Sequence, residues 1–175
     1  MQVQFDLIAA ATSAHYDSFK HLLVEYAHTD LADAKHSSIW ADLAQLPGRY
    51  APPSGLTLLA GVGDQVVACG AFVATAQPGL AEIKRVYIRP GFRRQGLARI
   101  LTLALLEQAR SASYQTVGIC TWSHNTAALA LYQTLGFAPI ACFRESDKAH
   151  LIFLGMPLGP ASQHPANPRH SDALE

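Results

Sequence analysis

The feature that most constrains this chain is a strand, a basic turn, a helix and a second strand in immediate succession. "AEIKRVYI" reads as a strand, and an apolar stripe at Leu97, Ile100, Leu101, Ala104 and Leu105 reads as a helix from about Gln95 to Ser111. "TVGICTW" then reads as a strand again. Two strands joined through a crossover helix lie parallel in one sheet, with a right-handed connection. The segment before them, "LTLLAGVGDQVVACGAFVAT", breaks at Gly63-Asp64 and reads as an antiparallel hairpin. A sheet holding both kinds of neighbour is mixed.

The remaining elements fit around that unit. Val3, Phe5 and Leu7 alternate and suggest an opening strand. Phe19, Leu22, Leu23 and Tyr26 recur at helical spacing, with Ser13 as the expected N-cap. A second helical segment carries Ile39, Trp40, Leu43 and Leu46, and "LPGRYAPPSG" ends it with turn residues. "NTAALALYQTL" reads as a helix stopped at Gly136, and "FAPIACF" and "AHLIFLGMPL" as two last strands. The expected fold is α/β (α+β): a mixed, mostly antiparallel sheet of about seven strands with a central parallel pair, flanked by about four helices. We assign residues 1–158 to one domain and 159–175 to a flexible C-terminal tail, because "GPASQHPANPRHSDALE" has no apolar period.

Composition narrows the partners. The 175 residues carry 13 Lys and Arg against 13 Asp and Glu, a formal net charge of +0. That balance gives no electrostatic reason to expect nucleic acid or an anionic membrane. The N-terminus has no basic segment followed by an apolar run, and no stretch approaches the ~18 apolar residues of a membrane span. Cys69, Cys120 and Cys142 form neither a disulfide framework nor a CxxC metal site. His21, Glu25 and His28 share a helical stripe and read as a solvated face. The expectation is a cytoplasmic protein without a metal, and a homodimer is allowed.

Against that neutral background, four of the 13 basic residues fall inside "VYIRPGFRRQGLAR", residues 86–99. The turn leads into the first turn of a helix, whose N–H groups lack intrahelical partners and whose dipole is positive there. Gly96 and Ala98 keep the approach free of bulk, and Arg93, Arg94 and Arg99 add charge. A phosphate or pyrophosphate suits such a seat, and so does plain solvent. Neither the P-loop pattern nor G-x-G-x-x-G is present.

Arg93-x-x-Gly96-x-Ala98 resembles the R/Q-x-x-G-x-G/A acyl-CoA pyrophosphate loop of the GNAT (GCN5-related N-acetyltransferase) superfamily. "NTAALALYQTLGF" resembles the second motif of that family, and the two occur in the family's order. The resemblance covers about residues 2 to 157 and extends to a small bacterial-type single-domain member. It implies acetyl-CoA as cosubstrate and an acceptor that is a primary amine of a small molecule or peptide, attacked directly in a ternary complex. It places the thioester and the pantetheine arm on main-chain groups of Val86, Tyr87 and Ile88. It places the pyrophosphate on Arg93, Arg94, Gln95, Gly96, Leu97, Ala98 and Arg99. Asn125 and Ala128 would help to position the pantetheine, Asn125 doubling as a helix N-cap.

By the same resemblance Tyr132 protonates the departing thiolate, and Glu82 takes the amine proton directly or through water. Tyr132 shares a helix face with Asn125 and Ala128, where a tyrosine also serves packing. Glu82 reads equally as a strand-end carboxylate paired with Lys84, and His124 or water stands as the other base. "LPGRYAPPSG" and "EIKRVYIRP" look like a narrower group of small bacterial GNAT proteins. "GAFVAT" and "GICTW" lack that group's arginine and acidic residue, which implies a less acidic acceptor. Trp40, Tyr50 and Trp122 are expected pocket walls. A non-catalytic acyl-CoA-binding or sensor domain on the same fold is the alternative function.

Overall fold

A computed structural model of the chain describes residues 4–31, 34–146 and 149–159. Seven strands form one sheet in the order β1-β2-β3-β4-β5-β7-β6. They are β1 (Asp6–Ala9), β2 (Gly55–Val62), β3 (Gln65–Ala74), β4 (Leu80–Ile88), β5 (Thr116–Trp122), β6 (Ala138–Pro139) and β7 (Leu151–Pro157). The α-helices are α1 (Ser13–Thr29), α2 (Ile39–Ala44), α3 (Leu97–Ser111) and α4 (Thr126–Thr134). Every ladder is antiparallel except β4 with β5, the pair joined through α3. The mixed sheet expected from the sequence is the sheet observed.

Each face of the sheet has its own core. Ala81, Ile83, Val117 and Ile119 pack with Leu97, Leu101, Leu105 and Tyr132 on the side of α3 and α4. Ala71, Val73 and Tyr87 pack with Phe19, Leu22, Leu23 and Ile39 on the side of α1 and α2. Burying each such leucine contributes about 1.5–3 kcal/mol, so the α3 stripe fixes that helix and the turn that starts it.

Several boundaries differ from the sequence reading. Thr12, not Ser13, caps α1: its hydroxyl accepts from the His15 N–H at 3.3 Å, and Ser13 is already helical. β1 spans four exposed residues, because an edge strand paired only with β2 leaves its other side to solvent; Phe5 lies just before it, and Val3 lies outside the described residues. α3 starts two residues after Gln95, since Gly96 holds the left-handed φ of 81° that glycine tolerates. Ile100 is exposed, and Thr102, Leu106 and Ala109 complete the buried stripe instead. "FAPIACF" yields only the two-residue β6, paired with β7 at the edge of the sheet, and a last bond from the Ile140 N–H to the Phe153 carbonyl at 3.1 Å ends the pairing. Most of the expected tail, residues 160–175, lies outside the described residues.

Candidate active site

The site begins with a defect in β4. Between β3 and β4 the register runs Cys69↔Tyr87 and then Ala71↔Lys84, so β4 carries one extra residue there. Arg85 sits in that bulge with φ 60°. On the other side of β4, pairing with β5 stops at Ile83↔Ile119, although both strands continue. The two central strands therefore part beyond that point. The Arg89 N–H donates to the Val67 carbonyl on β3 at 3.0 Å. Main-chain groups alternate along a strand, so Tyr87 faces β3 as well, and Val86 and Ile88 face the gap. The Ile88 carbonyl accepts from Arg93 Nε at 2.9 Å.

A cavity of about 160 Å³ occupies the gap. It is lined from the α1/α2 face by Glu82, Lys84, Arg85 and Cys120, and from the α3/α4 face by Ala128 and Tyr132. The cavity thus connects the two faces of the sheet. A second cavity of about 280 Å³ shares Tyr26, Ser38, Cys120, Asn125 and Arg144 with it and adds Trp122 as a wall.

Tyr132 is 7% exposed. Its ring packs against Phe137 at 5.6 Å, and its hydroxyl has no hydrogen-bond partner among the described residues. Among the described residues no side-chain oxygen or nitrogen is both sealed and unpaired, so the hydroxyl opens onto the cavity. Burial, with the Tyr26 phenol nearby, pushes the Tyr132 pKa above the usual phenol range. It is a protonated O–H throughout the neutral range.

Glu82 is 3% exposed and accepts from Arg144 Nε at 3.2 Å. Its ion-pair partner is Arg144, from the segment after β6, and not Lys84. A Cβ on the facing Gly118 would lie 2.6 Å from Phe143, so that glycine lets Phe143 lie flat on β5 beside Arg144. His124 stacks on Trp122 at 5.9 Å. Asn125 caps α4, its Oδ1 accepting from the Ala128 N–H at 3.3 Å.

The basic turn divides its arginines between two tasks. Arg93 reaches back to Asp30 with two bonds of 3.0 and 2.8 Å and lies over the Tyr87 ring. Its side chain fastens the turn to the end of α1. Arg89 holds Glu25 at 2.9 and 2.6 Å, while His21 and His28 on the same stripe of α1 are exposed. Arg94 and Arg99 are exposed and have no ion-pair partner among the described residues. Gln95 Nε2 donates to the Gly91 carbonyl at 3.3 Å. The first intrahelical bond of α3 runs from the Ile100 N–H to the Gly96 carbonyl, and no side chain caps the helix. The N–H groups of Leu97, Ala98 and Arg99 are left to an outside acceptor. A Cβ on Gly96 would meet nothing within 4 Å, so the space over the loop is open.

Residues that the sequence reading passed over complete the α2 side. Asp42 Oδ2 receives Arg85 Nε at 2.9 Å, Arg85 Nη2 at 2.5 Å and the Tyr50 hydroxyl at 2.5 Å. Ser38 accepts a further bond from Arg85 at 2.9 Å. Tyr50 is buried in this cluster rather than lining a pocket, and Trp40 is 40% exposed with its indole N–H on the Ala34 carbonyl. One signal for the cluster was legible: Lys84-Arg85 breaks the alternation of an otherwise regular strand, as a bulge does.

The sequence profile of the acetyltransferase (GNAT) family matches residues 16–137. The chain belongs to that family. An uncharacterized N-acetyltransferase of Schizosaccharomyces pombe is 25% identical over 139 residues, 79% of this chain and 85% of the yeast protein. The mycothiol acetyltransferase of Nocardia farcinica is 42% identical over 66 residues, 38% of this chain but only 22% of that longer protein. A solved Klebsiella pneumoniae structure designated an acyl-CoA N-acyltransferase superposes with a TM-score of 0.69 at 29% identity, covering 90% of this chain and 99% of its own. Among the described residues no group of three or more His, Cys, Asp or Glu is placed to hold a metal ion, and no helix is long and apolar enough to cross a membrane.

Proposed function

We propose that the protein is an acetyl-CoA-dependent N-acetyltransferase acting on a primary amine of a small molecule or peptide. The observation that carries this reading is the gap between β4 and β5, open to both faces, with a phenol on one side and a carboxylate on the other. The donor set fits the cosubstrate. Uncapped N–H groups of Leu97, Ala98 and Arg99 and the exposed Arg94 and Arg99 suit a diphosphate, and the strand groups of Val86 and Ile88 suit an amide-bearing arm. Acetyl-CoA supplies, when bound, an acyl thioester whose carbonyl carbon an amine can attack.

The chain's own groups then do the rest. The Val86 N–H faces the gap and stabilises the negative charge that develops on the carbonyl oxygen. Glu82, on the acceptor side, takes the proton from the incoming ammonium, directly or through water. Tyr132, on the opposite side, gives its proton to the leaving sulfur. Its hydroxyl is protonated near neutral pH, so a proton is available there to be given. Burial also raises the pKa of Cys120, the cavity's thiol, which therefore makes a poor nucleophile and favours direct transfer over a covalent enzyme intermediate. The test is release of free CoA thiol from acetyl-CoA by the purified protein across a panel of primary amines. Amine-dependent release supports the reading; a protein that neither binds CoA nor releases thiol contradicts it.

A further inference from the structure

Lys84 is the side chain that the site leaves unexplained. It lines the gap cavity and its side chain is 15% exposed, yet it makes no hydrogen bond among the described residues. Its one ion-pair contact among the described residues is Asp42 Oδ2 at 3.9 Å, beyond hydrogen-bond distance. That oxygen already receives two bonds from Arg85 and one from Tyr50. Arg85 holds the counter-ion, and Lys84 is left as a desolvated primary amine. The bulge explains why: with Lys84 and Arg85 both turned toward α2, two cations compete for one carboxylate.

The amine is also close to where transfer would occur. Lys84 precedes Val86 by two residues, about 6–7 Å along a strand, and it shares the sheet face of Glu82. A flexible four-carbon stem spans such a distance by rotation about its own bonds. Lys84 is therefore a primary amine already resident in the cavity that the proposed reaction needs an amine to enter.

We propose that Lys84 is a self-acetylation site: with acetyl-CoA bound and no acceptor present, its Nζ takes the acetyl group. This rests on the acetyl-CoA reading of the gap. The neutral amine attacks the thioester carbon, a C–N bond forms and the C–S bond breaks. The amine proton leaves through Glu82 or water, the sulfur is protonated by Tyr132, and the products are Nε-acetyl-lysine and free CoA. No oxidant or other co-reactant is required. Acetylation also removes a charge from the Asp42 cluster and fills part of the acceptor cavity, so the modified enzyme turns over an external amine more slowly.

Among the described residues, the charged and titratable groups around Lys84 are Tyr26 from α1, Asp42 from α2, Arg49 and Tyr50 from the turn at Gly48–Tyr50, Glu82 and Arg85 from β4, Cys120 from β5, Tyr132 from α4, and Arg144. Burial pushes the Lys84 amine down to about 8, with Glu82 and Asp42 opposing and Arg85 and Arg49 assisting. Relative to an ordinary lysine this gives about two orders of magnitude more free amine at neutral pH.

The experiment incubates the full chain with acetyl-CoA carrying a heavy-isotope acetyl group, without acceptor, and locates the label by peptide mass spectrometry. Lys20 and Lys35 are exposed and report ordinary chemical acetylation in the same spectrum. We expect Lys84 to be labelled at least ~10-fold faster than either, at a rate rising through about pH 8. Excess unacetylated CoA should suppress labelling at Lys84 and leave Lys20 unaffected. Label confined to the exposed lysines, or Lys84 label that free CoA does not suppress, overturns the proposal. Calorimetry on the same sample separates the causes. Normal CoA binding without Lys84 label refutes self-transfer alone, and absent CoA binding refutes the acetyl-CoA reading as well. The wild-type chain carries the whole test, so misfolding of K84R would not obscure it.

Discussion

Replacing Tyr132 by phenylalanine should separate chemistry from stability. The ring is buried against Phe137, and its hydroxyl makes no hydrogen bond among the described residues. Removing the oxygen therefore leaves no partner unsatisfied, whereas a buried hydroxyl without a partner costs ~1–3 kcal/mol on mutational scales. The variant should be as stable as wild type or slightly more so, with a melting temperature unchanged or raised by a few degrees. Activity should behave oppositely. If the O–H protonates the leaving thiolate, turnover should fall by ~10²-fold, about 2.7 kcal/mol of transition-state stabilisation. Cofactor affinity should barely change, because nothing in the ground state depends on the hydroxyl. The assay is thiol release at saturating acetyl-CoA, beside a thermal melt and a calorimetric titration of CoA. Turnover within about twofold of wild type, with chemistry rate-limiting, would return Tyr132 to a packing role. A large stability loss would show that the hydroxyl has a partner the geometry does not give it.

Three further outcomes follow from the same geometry. Glu82→Gln should lose most activity near neutral pH and regain part of it at high pH, where free amine is already abundant; a flat profile within about twofold of wild type would exclude Glu82 as the base. Asp42→Asn should destabilise the fold by ~3 kcal/mol in chemical denaturation, since it strips the counter-ion from buried Arg85. Burial raises the Asp42 pKa, but Lys84, Arg85 and the Tyr50 hydrogen bond outweigh burial and hold it below the usual range. Its contribution is present above the unfolded value of ~4 and is lost as the pH falls through the folded value, so the variant should lose the wild type's acid sensitivity in that window. Gly118→Ala should cost ~1–3 kcal/mol by pushing Phe143 off β5, and should lower turnover by displacing the neighbouring Arg144; unchanged kinetics would separate that segment from the site.

Periodicity made the fold legible. Alternating strands, the Gly63-Asp64 turn and the α3 stripe are local patterns, and the parallel pair followed from the crossover between "AEIKRVYI" and "TVGICTW". Errors gathered where tertiary context decides. β6 is confined to two residues because its pairing with β7 ends at the Ile140 N–H, and α3 begins later because Gly96 turns left-handed first. The loop, Glu82 and Tyr132 could be named from motif positions, since each lies within a continuous stretch. Arg144 and Asp42 could not. Asp42 lies on the helical segment α2 and Arg144 in the segment after β6, and they reach the site across sequence separations of 43 residues to Arg85 and 62 to Glu82. A pairing between side chains so far apart leaves no trace in periodicity.

The central claim is that acetyl-CoA enters the gap between β4 and β5 with its diphosphate over the turn at residues 93–99. Calorimetric titration of acetyl-CoA into wild type and Gly96→Glu tests it most directly. The substitution puts negative charge and bulk at the uncapped start of α3, on a residue whose φ of 81° already disfavours a side chain. The account predicts one-to-one binding to wild type and a loss of at least ~10²-fold in affinity for the variant, with circular dichroism showing both folded. Undiminished binding by a folded Gly96→Glu would contradict it.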